Sequence, residues 1–157
     1  MRVVAENLPK LPEAVIPAFE IERGAPVTAP VIFASPHSGS HYPQAMQDLL
    51  SVPLSDLRRS DDAFVDELYG DAAALGGVQI RGMYGRAYVD LNRDARELDA
   101  SMFKDGAPRV AGMPSARVKA GLGCLPRVGA SGREIYTDKI TKAEGAFRLS
   151  EVHDRYH

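Results

Sequence analysis

The chain has 157 residues, 45% of them hydrophobic and 25% charged, with a formal net charge of −2. That is enough polypeptide for one domain with its own core, and the near-neutral balance leaves nothing that draws the whole chain to nucleic acid or to an anionic membrane. The single cysteine, Cys124, excludes an internal disulfide and fits a reducing compartment. No apolar run approaches the ~18 residues of a membrane-crossing helix. The first residues lack the basic-then-apolar layout of a signal peptide, so the cytoplasm is the expected location.

In chain order, Pro9, Pro12 and Pro17 predict an arm over residues 1–17, leading into a single domain that spans 1–157. Phe19-Glu20-Ile21-Glu22 alternates apolar and acidic residues, the pattern of a short edge strand. Arg23-Gly24-Ala25-Pro26 reads as a turn. Val31 to Ser35 reads as a buried strand. Pro36 ends its pairing because it has no amide donor, and Gly39 allows a sharp turn. His37 therefore arrives at a strand end, where open α/β sheets bind their ligands. A histidine there is a candidate metal ligand or general base, against the plainer reading of a turn histidine bonded to its own loop. Pro43 at a first helical position opens a short helix through Leu50.

Phe64, Val65, Leu68, Ala72 and Leu75 follow helical spacing and predict the clearest helix. Ser60, Asp61 or Asp62 would cap it, and Gly76-Gly77 would stop it. Asp62 and Asp66 lie four apart, on one face near the positive end. Taken alone they are a cap and a solvated acid. A carboxylate close to His37 would instead be half of a catalytic zinc set.

Val78 to Arg81 is a short strand ending in Gly82. Arg86 to Leu91 is predicted as a second strong strand, with Arg86, Tyr88, Asp90 and Asn92 on one face and Arg93 at its end. Two arginines and an asparagine around one strand end would make an anion clamp. The alternative is that Arg93 pairs with Asp94, Glu97 or Asp99. Lys104 to Arg133 is rich in glycine and proline and holds six basic residues against one acid, Asp105. It reads as a long excursion, with a short strand near Gly121–Pro126, that is either a lid over an anionic substrate or a solvated flap. Glu134-Ile135-Tyr136 is a short strand. Thr137 or Asp138 would cap a final helix carrying Ile140, Phe147 and Leu149. His153 and His157, four apart on that helix, are expected at the surface, because the glutamate-bearing zinc motif is absent.

There is no nucleophile elbow, dinucleotide fingerprint or P-loop. Cys124 has no activating partner in sequence, and Ser35 and Ser38 beside His37 do not by adjacency make a triad. The remaining set is His37, Asp62 or Asp66, Arg86, Asn92 and Arg93. It fits metal-assisted hydrolysis of a substrate that bears a carboxylate.

Three stretches in this order carry a resemblance: Ser35-Pro36-His37-Ser38-Gly39 after a hydrophobic strand, Asp62 to Tyr69, and Tyr84 to Arg93. They resemble the N-formylglutamate amidohydrolases, a family related to the zinc carboxypeptidase and aspartoacylase group. Gly121 to Pro126 and Arg133 to Tyr136 extend the likeness, which covers residues 19–157. The resemblance implies an α/β protein with a three-layer α/β/α fold and a mixed sheet, phosphorylase/hydrolase-like and zinc-exopeptidase-like. It implies hydrolysis of N-formyl-L-glutamate to formate and L-glutamate in histidine degradation, with zinc as the cofactor. Residue by residue, His37 matches the first metal-binding histidine. Asp62 matches the acidic second ligand, with Asp66 as the fallback. Asn92 and Arg93 match the pair that grips the substrate carboxylate, and Arg86 is placed like the arginine that polarises the scissile carbonyl.

Members of the family are much longer, so the fold is expected to be incomplete at the C-terminus. A second metal-binding histidine and a catalytic glutamate are expected beyond residue 157. The expected partner is a small N-acyl amino acid, with no nucleic acid and no membrane, and an open sheet edge makes a homo-oligomer conceivable. Two other readings stay open: an amidohydrolase of the same fold acting on another N-acyl amino acid or small peptide, and a truncated, non-catalytic binding module.

Overall fold

The computed structural model describes residues 16–24, 26–109 and 111–157. The arm predicted over residues 1–17 lies outside the described residues except for its last two, as does Ala25 of the predicted turn. Three strands form one mixed sheet: β1 (Phe19–Arg23), β2 (Ile32–Ser35) and β3 (Val78–Gly82), in the order β1-β3-β2. β1 runs antiparallel to β3, with Ile21 opposite Ile80, and β2 runs parallel to it, with Ala34 opposite Ile80. Parallel partners need a long crossover. Here it is made by three short helices, α1 (Gln44–Gln47), α2 (Leu54–Arg58) and α3 (Val65–Leu68). After β3 come α4 (Ala116–Lys119) and α5 (Lys142–Phe147). The latter continues through a π-helical stretch, Arg148–His153, into α6 (Asp154–Tyr156). No helix among the described residues is long and apolar enough to cross a membrane.

Much of the core is irregular backbone rather than sheet. Leu57, Val89, Cys124, Ile135, Leu149 and Val152 are fully buried, and Tyr84, Tyr88, Leu91 and Leu98 join the same cluster. This is where several sequence expectations give way. The stretch Arg86–Leu91 is not a strand but a turn. The Tyr88 amide donates to the Gly85 carbonyl at 2.9 Å, and the Val89 amide reaches the same oxygen at 3.4 Å. The helix predicted over Phe64–Leu75 is helical only at Val65–Leu68 and then breaks into turns. Its buried residues are Ala72 and Ala73, whereas Leu68 is 81% exposed and Leu75 is exposed too. None of Ser60, Asp61 or Asp62 caps it; Phe64, in the left-handed region with φ 66°, stands at the N-cap.

β2 was expected to be buried, yet it is an edge strand in which only Ser35 is buried, and Ile32 is 69% exposed. Gly121–Pro126 forms no strand, and Glu134–Tyr136 contributes only single bridges to Val128 and Leu50. The last helix is capped by Thr141, whose hydroxyl accepts from the Glu144 amide at 3.0 Å, not by Thr137 or Asp138.

The excursion from Lys104 to Arg133 is neither a free lid nor a solvated flap. Cys124 and Leu125 sit in the core. The Cys124 amide donates to the Glu97 carbonyl and its carbonyl accepts from the Asp90 amide, both at 2.8 Å. Arg127 pairs with Asp99 and Glu134, Arg133 with Asp56 and Arg109 with Asp154, so three of its six cations are spent on holding the fold.

Candidate active site

β2 and β3 separate after Ser35 and rejoin at a single parallel bridge between His41 and Tyr84. Between those two pairings, Pro36 to Ser40 loops out and carries His37. The loop lies flat against the next segment. A Cβ on Gly39 would sit 2.4 Å from the Met83 carbonyl carbon and 2.5 Å from its oxygen, so this position demands glycine for close approach rather than for the sharp turn expected of it. The His37 carbonyl accepts from the Asp62 amide at 2.9 Å, which ties the crossover to the loop.

Asp90 is the hub, and the sequence reading gave it no role. It is buried at 4% exposure. Its Oδ1 accepts from His37 Nε2 at 2.8 Å and from the Asn92 amide at 3.0 Å. Its Oδ2 accepts from Arg86 Nε at 3.1 Å and lies 3.7 Å from Arg93 Nε. Burial alone would raise its pKa, but the hydrogen bonds from His37 and the Asn92 amide, with the charges of His37 and Arg86, outweigh that and hold it at about 2. A signal was present in the sequence: a lone acid in the apolar run Ala87–Leu91 must be paired if it is buried.

The other nitrogen of His37, Nδ1, lies 3.1 Å from Asp62 Oδ2. Asp62 keeps its side chain half exposed on the far side, 54%. Asp66, four residues on, does not share that position. Its carboxylate faces Arg81 at 3.7 Å, and its amide donates to Ser38 Oγ at 3.2 Å. Asp61 is a second residue the sequence reading left without a role beyond capping. Its Oδ1 accepts from Tyr42 Oη at 2.8 Å and from the Arg86 amide at 3.0 Å, fixing the start of the turn, while Oδ2 is buried without a partner. Burial pushes the Asp61 carboxyl up despite those bonds, and burial together with Asp61 pushes up the Tyr42 hydroxyl.

Beside the hub is a cleft of about 130 Å³. Ser60, Arg86, Asp90 and Arg93 form its polar side, and Leu122, Pro126, Val128 and Ala130 of the excursion form its apolar side. Arg93 Nε is buried without a hydrogen-bond acceptor. Arg93 pairs with neither Glu97 nor Asp99: Glu97 takes the Ser115 hydroxyl, and Asp99 takes Arg127. The Asn92 side chain is exposed and lies outside the cleft lining; its backbone N–H is the part that reaches the hub. Cys124 is buried and its thiol is pushed up to about 12 by burial, so it remains an un-ionised thiol.

Of the two histidines expected at the surface, His153 is buried, whereas His157 stays exposed while its ring still meets the backbone of the hub. His153 Nε2 donates to the Arg93 carbonyl at 2.8 Å; His157 Nε2 donates to the Leu91 carbonyl at 2.9 Å.

The resident-metal question turns on His37. A neutral imidazole carries one proton. With Nε2–H donated to Asp90, the Nδ1 lone pair faces a carboxylate oxygen at 3.1 Å, so a proton or a cation must lie between them. Two ligands of a tetrahedral zinc ion, at ~2.0–2.1 Å each, stand about 3.3 Å apart, close to the observed separation. A ligating histidine that gives its other N–H to a carboxylate is the usual outer-shell arrangement. The pair fits a metal as two donors. No group of three histidine, cysteine or carboxylate side chains is poised for a metal among the described residues.

No curated protein matches the chain. A solved structure does: the crystal structure of N-formylglutamate amidohydrolase from Ralstonia eutropha JMP134 is 27% identical in sequence, with a TM-score of 0.81 over 90% of this chain and 50% of that one. The chain thus spans about half the length of that relative. The N-formylglutamate amidohydrolase family model matches residues 29–157, from just before β2 through the hub to His153 and His157. On that match, the chain belongs to the N-formylglutamate amidohydrolase family.

Proposed function

We propose that the residues around Asp90 serve metal-dependent hydrolysis of N-formyl-L-glutamate to formate and L-glutamate, in a three-layer α/β/α, zinc-exopeptidase-like fold and a reducing, cytoplasmic setting. The observation that carries this reading is the approach of His37 Nδ1 to Asp62 Oδ2, with the opposite ring nitrogen fixed on a buried carboxylate. His37 and Asp62 would hold the ion, zinc by the chemistry of a nitrogen and an oxygen donor; Asp66, engaged by Arg81, is the weaker candidate. When bound, zinc supplies an activated water near neutral pH and polarises the amide carbonyl.

The chain's own groups do the rest. Asp90 keeps the proton of His37 on Nε2 and so leaves Nδ1 free to donate its lone pair. Arg86, anchored on Asp90 through Nε, keeps its terminal nitrogens for the oxyanion that develops on the formyl group. Arg93, with donors unspent at the cleft, grips a substrate carboxylate, and the exposed side-chain amide of Asn92 next to it, outside the cleft lining, adds a donor from the rim. The apolar wall of Leu122, Pro126 and Val128 suits the methylenes of a glutamate side chain and keeps water from the arginines.

A second reading is favoured by the donor count. Catalytic zinc sites take three protein ligands, and two are brought together among the described residues. This chain is therefore expected to bind zinc weakly and to turn over N-formyl-L-glutamate little by itself, as a binding module of the same architecture would. Zinc titration by calorimetry, with proton release followed in parallel, tests both readings. Uptake with release of a proton, lost in His37→Ala and in Asp62→Ala, supports the metal site. No uptake by the wild-type chain, or uptake indifferent to both substitutions, removes it. Robust turnover by residues 1–157 would refute the two-donor limit, and a panel of N-acyl amino acids and small peptides would distinguish the formyl substrate from its relatives.

A further inference from the structure

Asn92 and Arg93 sit in a turn whose backbone is fastened from two sides. From inside, Asp90 takes both amides: Oδ1 accepts from the Asn92 amide at 3.0 Å and the Asp90 carbonyl from the Arg93 amide at 3.2 Å. From the other side, His157 Nε2 meets the Leu91 carbonyl at 2.9 Å and His153 Nε2 meets the Arg93 carbonyl at 2.8 Å. A carbonyl oxygen only accepts, so each imidazole must carry its proton on Nε2. Residues four apart on a helix share a face, and the two rings pack at 4.6 Å between centroids.

The helix that carries them is itself immobilised. Leu149 and Val152 are fully buried, and so is Arg148, whose guanidinium lies 4.2 Å over the Tyr88 ring and hydrogen-bonds Glu144 and Tyr136. The polar groups of Asn92 and Arg93 that remain for a ligand are then the Asn92 amide side chain and the Arg93 guanidinium.

We propose that His153 and His157 are positioning residues: two imidazole N–H donors, one in the π-helical stretch and one at the C-cap of α6, that clamp the carbonyls on either side of Asn92, and thereby aim Asn92 and Arg93 at a substrate carboxylate. The proposal rests on the substrate reading given above. Fixing both carbonyls removes backbone freedom that a carboxylate would otherwise have to freeze on binding, which is where preorganised sites gain affinity.

The test uses the full chain and N-formyl-L-glutamate as the probe. Long-range ¹⁵N spectra of the histidine rings are expected to show the Nε2–H tautomer for both residues. His157→Ala, at the exposed end, is expected to weaken binding about fivefold, the worth of one hydrogen bond, and to move the Asn92 and Arg93 amide resonances while the rest of the spectrum stays. His157→Gln restores an N–H donor near the same point and is expected to recover most of the affinity, which a merely structural loss would not allow. His153→Gln against His153→Ala repeats the comparison at the buried end.

Nδ1–H tautomers, or His157→Ala leaving the Asn92 and Arg93 amides unmoved, would overturn the clamp. If the wild-type chain binds no N-formyl-L-glutamate, the substrate reading falls, while the tautomers and amide shifts still decide whether the clamp exists.

Discussion

Asp90 is ionised where a carboxylate is costly to bury, and it remains so because three hydrogen bonds and two neighbouring guanidinium groups compensate its charge. Its pKa in the fold, about 2, lies below the ordinary value. The sign follows from that: the unfolded chain binds the proton more tightly, so the contribution is full above about pH 4 and is lost as pH falls toward about 2. Integrated, it amounts to about 2 kcal/mol. Asp90→Asn keeps the shape and removes the charge. Urea unfolding as a function of pH should show the variant less stable at neutral pH by at least that amount, with the slope between about pH 4 and 2 flattened. Metal affinity should fall about 10- to 100-fold, as when an outer-shell partner of a ligating histidine is removed. An unchanged acid slope would mean that another carboxylate carries it.

The residue types of this site were legible in the sequence: a histidine at a strand end, an acid in the crossover, two arginines near one turn. Their mutual roles were not. Asp61 read only as a helix cap, since that is what aspartate before a helical pattern usually does, whereas Asp62 read either as a cap or, by resemblance, as a ligand beside His37. In the fold Tyr42 and the Arg86 amide claim the first and His37 claims the second. Long-range partners outbid a local cap, and for Asp61 no local pattern announces them.

At the scale of elements, the misread segment is the instructive one. Arg86 to Leu91 has the alternation of a strand, and a strand would hold Arg86 and Asp90 about 13 Å apart. The observed turn instead lets Arg86 Nε donate to Asp90 Oδ2 at 3.1 Å. The turn forms because Gly85 packs under Tyr42, where a Cβ would meet the ring at 2.1 Å, and because Asp61 receives the Arg86 amide. Glycine at a close crossing is a weak sequence signal beside the four apolar or aromatic residues of Arg86–Leu91. Gly39 plays the corresponding part for the His37 loop. Gly39→Ala drives a methyl into the Met83 backbone, which cannot rotate away. It should destabilise the chain by about 1–3 kcal/mol, as overpacking does. It should also displace His37 from Asp90, so that the urea midpoint and zinc uptake fall together. A stable Gly39→Ala chain with intact zinc uptake would show that the loop has room to move.

For the molecule as a whole, the three strands were readable from pattern, and their burial was not. Val31 to Ala34 reads as a strand covered on both faces, the usual case in parallel pairing, and β2 does pair parallel with β3. Alternation and apolar runs report what a strand could bury, whereas actual burial depends on what lies beside it. Here β2 is the sheet's edge, with Ile32 69% exposed, and Leu68 and Leu75 of the following connection are exposed as well. Among the described residues nothing pairs with the outer side of β2, and an apolar strand edge of that kind is a template for another strand. The chain is therefore expected to self-associate as its concentration rises. Ile32→Lys places a charge on that edge, the device by which edge strands are kept from pairing. It removes little buried surface, so it should suppress association in sedimentation velocity while leaving the urea midpoint within about 0.5 kcal/mol, the range of surface substitutions. Loss of stability without any change in association would mean that Ile32 is packed in solution and that the β2 edge is closed.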